Sequence, residues 1–331
     1  MTNYVTVEKL TKKYGDLVAV NSLSFTVEQN EIFGFLGPNG AGKTTTLNVI
    51  STLSDYDRGS VTIAGYDLAK EPGKIKALLG IVPQDVAVYG SLTAAENIAL
   101  FASLYGLRGK ELTSATDEAL DFVGLADERK TRAGKMSGGM RRRLNIACGI
   151  AHKPKLIIMD EPTVGVDARS RETILLSIRK LRDGGATIIY TSHYMPEVQE
   201  IADRIAIIDK GRLAAIGTEQ ELIGYVTDRK TIRIVTGSGA AEDIRAAVAE
   251  MANLAGVKSA KYGGERGEIR VDVSLESANI SPILKTLMAR DVAIKSFDEE
   301  APDLETTFLA LTGSELHAGD ANGEPAAPAK K

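Results

Sequence analysis

The 331-residue chain reads as an α/β protein with a small α+β domain behind it. Three observations predict this. Over the first two-thirds, short apolar runs alternate with segments of helical periodicity, the pattern of a mostly parallel sheet covered by helices. One apolar run passes through a glycine-rich loop straight into a helix. Beyond about residue 224 the elements follow the order β-α-β-β-α-β, that of a split βαβ, ferredoxin-like unit. The expected divisions are residues 1–224, 225–313 and a disordered tail at 314–331, "SELHAGDANGEPAAPAKK", which is small, polar and Pro/Gly-bearing.

The elements follow in order. "YVTVEKL" and "VNSLSFTV" have no helix between them and suggest an antiparallel side sheet. "EIFGFL", "VTIAG", "GIVP", "KLIIMD", "ATIIYT", "RIAIID" and "RLAAIG" are further strands. "KLIIMD" and "ATIIYT" are apolar almost throughout, as strands buried on both faces are. Helices are expected at roughly 44–53, 93–104, 113–123, 138–152, 169–182 and 195–201. Those around 93–152 make a helical subdomain. The second domain is "KTIRIVTG", a helix at 241–253, "VKSAKYG", "GEIRVDVS", a helix at 279–290 and "VAIKSFD". "DLETTFLALTG" closes it with a helix.

Bulk properties narrow the function. The net charge of −4 argues against nucleic acid as the main partner. The single cysteine, Cys148, excludes an intrachain disulfide and, within "LNIACGIA", reads as a small buried hydrophobe. The start lacks the apolar core of a signal peptide, and no apolar run approaches the ~18 residues of a membrane span. The chain is expected to be cytoplasmic, with any membrane role supplied by a partner.

"GFLGPNGAGKTTTLNVI" carries the first chemistry. Gly37, Gly42, Lys43 and Thr44 fit G-x-x-x-x-G-K-[ST], so Gly37, Pro38, Asn39, Gly40, Ala41, Gly42, Lys43, Thr44 and Thr45 form a candidate phosphate loop. Glycines let backbone N–H groups curl around phosphate, and the helix start adds partial positive charge. Lys43 is placed to reach the β/γ-phosphates, and Thr44 to offer a hydroxyl to Mg²⁺. A kinase, GTPase, helicase or transporter ATPase would each fit this loop alone.

"LIIMDEPTVGVD" supplies a second half. Asp160 ends a strand at the edge where open α/β sheets bind ligands, and suits Mg²⁺. Glu161 points either to the opposite strand face or into the turn beyond, where it could deprotonate a water. His193 in "TSHYM" follows another apolar strand and is a candidate for γ-phosphate contact. Gln84 in "VPQD" follows a third and suits a sensor of metal-bound water.

"GPNGAGKT", "VPQD", "SGG", "LIIMDEP", "VGVD" and "TSH" occur in the order found in ATP-binding cassette (ABC) transporter nucleotide-binding subunits, and the chain resembles them over about residues 3–222. The resemblance implies a P-loop ATPase using ATP and Mg²⁺. It implies that Tyr14 stacks on adenine, that Gln84 senses metal and touches a membrane subunit, and that Asp160 binds metal. Glu161 becomes the catalytic carboxylate and His193 the switch histidine. Ser137, Gly138 and Gly139 would meet the ATP of a partner cassette in a head-to-tail dimer, and Asp167 would cross to the partner's site. The arginines of "MRRRLNIACGIA" then read as the polar face of the helix behind the "SGG".

Longer stretches, "SGGMRRRL" and "TSHYMPEVQEIADRIAIIDKGRLAAIGT" among them, are similar to the drug-resistance exporter group. That similarity implies a separate multi-span permease and a location at the inner face of the cell membrane. Met136, Met140 and Val166 depart from the commoner family residues by apolar or within-group changes. A soluble cassette ATPase in a non-transport process is the alternative. A GTPase lacks its Asn-Lys-x-Asp motif, and a non-catalytic regulator would not need Glu161 and His193. The second domain either regulates or strengthens pairing, or is a packing extension; its alanine-rich amphipathic helices suffice for packing.

Overall fold

A computed structural model describes residues 3–192, 194–226, 229–237, 240–263, 268–274, 280–300 and 303–313. His193 and the expected tail at 314–331 lie outside these residues. The described chain forms two compact units. The first runs to Glu219 and the second covers Gln220–Leu311.

The first unit opens with β1 (Asn3–Tyr14) and β2 (Leu17–Glu28), paired antiparallel. Val5, Val7 and Leu10 of β1 are buried, so the alternation slips by one residue after Val7. Lys9 takes that slip with a left-handed φ of 49°, a bulge that re-aims the strand. Next come β3 (Ile32–Leu36), α1 (Lys43–Ile50), β4 (Arg58–Ile63) and β5 (Tyr66–Asp67). The side sheet has the order β2-β1-β4-β5 and is antiparallel throughout.

α2 (Pro72–Leu78) was absent from the sequence expectations. Its "PGKIKAL" looks like a turn, yet Pro72 sits at a helix start, where its missing N–H costs nothing. Then follow β6 (Leu79–Val82), α3 (Ala94–Leu104), α4 (Gly109–Phe122), α5 (Gly138–Ile150) and β7 (Leu156–Asp160). α3 begins at a reciprocal cap: Thr93 Oγ1 accepts from the Glu96 N–H while Glu96 accepts from the Thr93 N–H. α4 starts four residues before the expected 113, at Gly109, a residue that helical periodicity does not count. α6 (Ala168–Asp183), β8 (Thr187–Thr191), α7 (Met195–Ile201), β9 (Arg204–Asp209) and β10 (Arg212–Gly217) complete the unit, and α8 (Glu219–Val226) leads onward.

The central sheet has the order β10-β9-β3-β8-β7-β6. β9, β3, β8, β7 and β6 are mutually parallel, and β10 joins antiparallel to β9. All five β3 residues are buried, as are all five of β8. Phe33 stacks on Phe25 of the side sheet with centroids 5.5 Å apart, so the two sheets share one core. The parallel strands therefore end together, at the edge where β3 feeds α1 and β7 ends in Asp160.

The second unit comprises β11 (Arg229–Thr236), α9 (Ala241–Met251), β12 (Val257–Gly263), β13 (Glu268–Ser274), α10 (Ser281–Met288), β14 (Ile294–Glu300) and α11 (Leu304–Thr312, its last residue beyond the unit's edge). Its antiparallel sheet has the order β12-β13-β11-β14, the ferredoxin-like arrangement expected from the element order. Ile232, Ile234, Ile269 and Val271 pack against Ile244, Met251, Ile283 and Leu287 from α9 and α10. No described helix is long and apolar enough to cross a membrane.

Phe33 is wholly buried between the sheets, so Phe33→Ala is expected to cost the first unit about 3–5 kcal/mol, read as an earlier transition in a urea melt. A melt superimposable on wild type would show that this aromatic layer is not the core.

Candidate active site

Packing dictates two of the loop glycines. A Cβ on Gly37 would lie 2.5 Å from the Ile208 carbonyl oxygen. Gly42 has a left-handed φ of 98°, and its Cβ would lie 2.5 Å from the Ala19 carbonyl oxygen. Gly42 leads into α1, which has no side-chain cap and no acid in its first turn. Its first N–H groups therefore have no side-chain acceptor, as an anion site at a helix start requires. Lys43 is 6% exposed and donates to the Gly37 carbonyl at 2.6 Å and the Pro38 carbonyl at 3.1 Å. Burial pulls its pKa below the usual lysine value, opposed by the charges of Glu161 and Asp160. Thr46 is buried and ties its hydroxyl to the Gly42 carbonyl, while Thr44 stays exposed toward the cavity.

The facing wall comes from the ends of β7 and β8. Their parallel register sets Asp160 beside Thr191. The Thr191 hydroxyl donates to Asp160 Oδ1 at 2.6 Å and accepts the Glu161 N–H at 3.0 Å. Glu161 has a φ of 49°, rare for a residue with a side chain. The chain therefore leaves β7 at Glu161, which lies in the turn; the strand-face option is ruled out. Glu161 is 4% exposed, and Gln84, just past β6, donates Nε2 to its Oε2 at 2.8 Å.

These elements enclose an open cavity of about 570 Å³. Tyr14, Asn39, Gly40, Gly42, Lys43, Thr44, Thr45, Gln84 and Glu161 line it, so nine residues expected from sequence meet in one place. Gly37, Pro38 and Ala41 complete the loop without lining the cavity, and Asp160 sits beside Thr191 behind Glu161. Tyr14 is half exposed at the rim, with the Lys12 ammonium 5.2 Å from its ring centroid. Leu17, Val18, Ala19 and Lys210 also line the cavity and were not expected. Leu17 and Val18 were legible as apolar residues three and four positions after Tyr14; Lys210 comes from the "DKG" turn between β9 and β10.

Ser137, Gly138, Gly139 and Asp167 do not line this cavity. Ser137 caps α5, accepting the Met140 N–H at 3.2 Å. Gly138 has open space around it, whereas a Cβ on Gly139 would lie 2.6 Å from Ser170 Oγ. Gly139 thus has a reason within its own chain: it lets the first turn of α5 pack on the first turn of α6. Asp167 caps α6 through the Ser170 N–H at 3.0 Å and hydroxyl at 2.7 Å, bonds that hold its carboxyl below the usual range.

The arginines after this segment correct the sequence reading. Only Arg141 is exposed. Arg142 is 5% exposed and donates to the Gln84 carbonyl at 2.5 Å, the Val164 carbonyl at 3.3 Å and the Pro83 carbonyl at 3.4 Å. Arg143 donates to the Val123 and Gly124 carbonyls at 2.9 and 3.0 Å. A guanidinium on a long apolar stem satisfies several carbonyls from inside a fold, so these two arginines fasten loops instead of facing solvent.

Glu197, in the first turn of α7, was missed altogether. It is 2% exposed, yet its Oε2 accepts from Thr163 Oγ1 at 2.7 Å, the Tyr190 hydroxyl at 2.7 Å and Ser192 Oγ at 2.9 Å. Arg171 Nε lies 3.0 Å from its Oε1. Burial, with the Glu197 charge beside it, pushes the Tyr190 phenol well above its ordinary value. One buried carboxylate thus joins the loop after Glu161 to the end of β8. In sequence, an acid early in a helix looks like ordinary dipole compensation.

Comparison with known proteins agrees with this geometry. A family model described as "ABC transporter" matches residues 20–164. The linearmycin resistance ATP-binding protein LnrL of Bacillus subtilis (strain 168) is 40% identical over 311 residues, covering 93% of this chain and 98% of that protein. The daunorubicin/doxorubicin resistance ATP-binding protein DrrA of Streptomyces peucetius is 34% identical, covering all of this chain and 98% of its own length. The Nod factor export ATP-binding protein I of Sinorhizobium fredii (strain NBRC 101917 / NGR234) is 32% identical, covering 94% of this chain and 87% of its own. Among solved structures, an ATP-binding subunit of an ABC transporter superposes with a TM-score of 0.62 at 28% identity, covering 68% of this chain and 93% of its own. A dimeric cassette in a post-hydrolysis state with ADP and phosphate superposes with a TM-score of 0.60 at 26% identity, covering 65% of this chain and 98% of its own. The chain belongs to the ABC transporter family and is an ATP-hydrolysing, ATP-binding subunit of its drug-resistance group.

Proposed function

We propose that this chain works in a head-to-tail pair, with itself or with a matching cassette, and that its ATP cycle drives export of a small molecule, drug or lipid-like cargo through a separate permease. The pair would lie at the cytoplasmic face of the membrane. One observation carries the reading. Lys43, Gln84 and Glu161 share a cavity that Ser137 and Asp167 do not reach, although Gly138 leaves the first turn of α5 open. The carriers of the resistance and export names above supply the direction and class of cargo.

In this reading ATP lies across the phosphate loop with its base against Tyr14. The γ-phosphate competes with the Gly37 and Pro38 carbonyls for the Lys43 ammonium. A second chain presents the Ser137 hydroxyl and the positive start of α5 to that phosphate. Thr44, Asp160 and Gln84 carry the hard oxygen donors that would hold Mg²⁺, which would supply neutralisation of the phosphate charge. Gln84 would offer its Oε1 to that site while its Nε2, 2.8 Å from Glu161 Oε2, holds the carboxylate beside it. Glu161 accepts the proton of the attacking water. Loss of the γ-phosphate removes the bridge and the pair opens.

Glu161→Gln is expected to keep ATP affinity while lowering turnover by ~10²–10⁴-fold, the usual worth of a general base. Turnover at the wild-type rate would remove that role from Glu161. Lys43→Ala should abolish nucleotide binding in a fluorescent-nucleotide titration, and an unchanged affinity would contradict the loop reading. Ser137→Arg should leave ATP binding by the single chain intact but abolish turnover; normal hydrolysis by that variant would refute the head-to-tail pair.

A further inference from the structure

We propose that Arg142 is a positioning residue that couples the two nucleotide sites of the pair. The inference rests on the head-to-tail reading above and adds a residue that links the sites. Arg142 lies in α5, five residues after Ser137. Its two terminal nitrogens part company. Nη1 donates to the carbonyls of Gln84 and Pro83, and Nη2 to the carbonyl of Val164. Both of those segments flank Glu161: the Gln84 side chain is bonded to its carboxylate, and the Val164 N–H donates to its backbone carbonyl at 3.3 Å. One guanidinium therefore holds the helix offered to the partner's ATP and the two loops around Glu161 of its own site.

The anchorage is stiff for physical reasons. Arg142 is buried and serves the Gln84 and Val164 carbonyls from inside the fold, and buried carbonyls given such a donor hold their geometry tightly. Asn145, one turn along, donates to the Pro83 carbonyl at 3.3 Å and accepts the Ala87 N–H at 3.1 Å, which ties the same loop to α5 again. Gly139 seats the start of α5 on Ser170, beside Asp167. A shift of α5 imposed by the partner's nucleotide must then carry the Gln84 and Val164 backbones with it. A lysine carries its three donors on one nitrogen, so it would not span the Gln84 and Val164 carbonyls as the two terminal nitrogens of Arg142 do.

The test uses the full-length chain carrying Glu161→Gln, which should trap the ATP-bound pair. ATP with Mg²⁺ is titrated and dimer formation followed by sedimentation, while affinity of the single chain is read with a fluorescent ATP analogue. With Arg142→Gln added, single-chain affinity should stay within about two-fold while the ATP needed for half-dimerisation rises about ten-fold or more, within the range of site-to-site couplings. Arg142→Lys should fall between. Arg143→Gln, whose parent serves only the Val123 and Gly124 carbonyls, should dimerise as the parent does. With Glu161 restored, Arg142→Gln should lower turnover at saturating ATP and flatten any sigmoidal ATP dependence. Dimerisation at unchanged ATP overturns the proposal, as does a fall in single-chain affinity that accounts for the whole effect. Should Arg142→Gln misfold by circular dichroism, Arg142→Lys decides: parental dimerisation overturns the proposal. If Glu161→Gln alone never pairs with ATP, the head-to-tail reading fails and takes the proposal with it. If it pairs and the Arg142 variants match it, only the proposal fails.

Discussion

Thr191 is wholly buried at the end of β8, and its hydroxyl is used twice: it donates to Asp160 and accepts the Glu161 N–H. Those two bonds need β7 and β8 in their observed parallel register, with Asp160 opposite Thr191. A register shifted by one residue would take Asp160 away from the Thr191 hydroxyl. The Glu161 N–H makes the last ladder bond, to the Thr191 carbonyl at 3.2 Å, and shares it with the Thr191 hydroxyl, after which the chain turns through a left-handed φ at Glu161. A non-glycine residue in that conformation costs of order 1 kcal/mol or more and persists only where its surroundings over-determine it. Gln84, Lys43 and the cavity between them are arranged around that fixed point.

Buried charge is the second theme of this end of the molecule. Lys43, Arg142 and Glu197 are each nearly inaccessible, and an unpaired ion in such a place is expensive. Each has been given partners. Lys43 and Arg142 take loop carbonyls; Glu197 takes three hydroxyls and Arg171. The consequence is mechanical. Loops that would otherwise be mobile are pinned to the sheet edge and to α5 by directional bonds, so a change at one loop is felt at its neighbours.

The sequence made the sheet and the phosphate loop legible because their rules are local. An apolar run such as "LIIMD" can only be a buried strand here, and a glycine-rich turn between strand and helix has few uses. Gln84 and Glu161 were found because each follows such a strand. What stayed hidden depends on partners remote in the chain. Arg142 looked like a solvated helix face because the Gln84 carbonyl is 58 residues away. Gly139 looked like an opening for phosphate because Ser170, its steric neighbour, is on another helix. Glu197 is distinguished from any exposed acid only by hydroxyls 5, 7 and 34 residues distant. α2 was lost to the turn-like appearance of its Pro-Gly start.

In the proposed head-to-tail pair, the open start of α5 in one chain meets the phosphate loop of another across ATP. Mixing a chain carrying Asn39→Cys with one carrying Ser137→Cys, both with Glu161→Gln, under mild oxidation tests that contact. The native Cys148 stays in place, since burial pushes its thiol pKa up to about 12 and keeps it inert. Head-to-tail pairing predicts a disulfide between the two unlike chains that forms with ATP and Mg²⁺ and is absent without nucleotide. Chains that bind ATP yet give no crosslink, or give the same crosslink without it, would contradict the pairing.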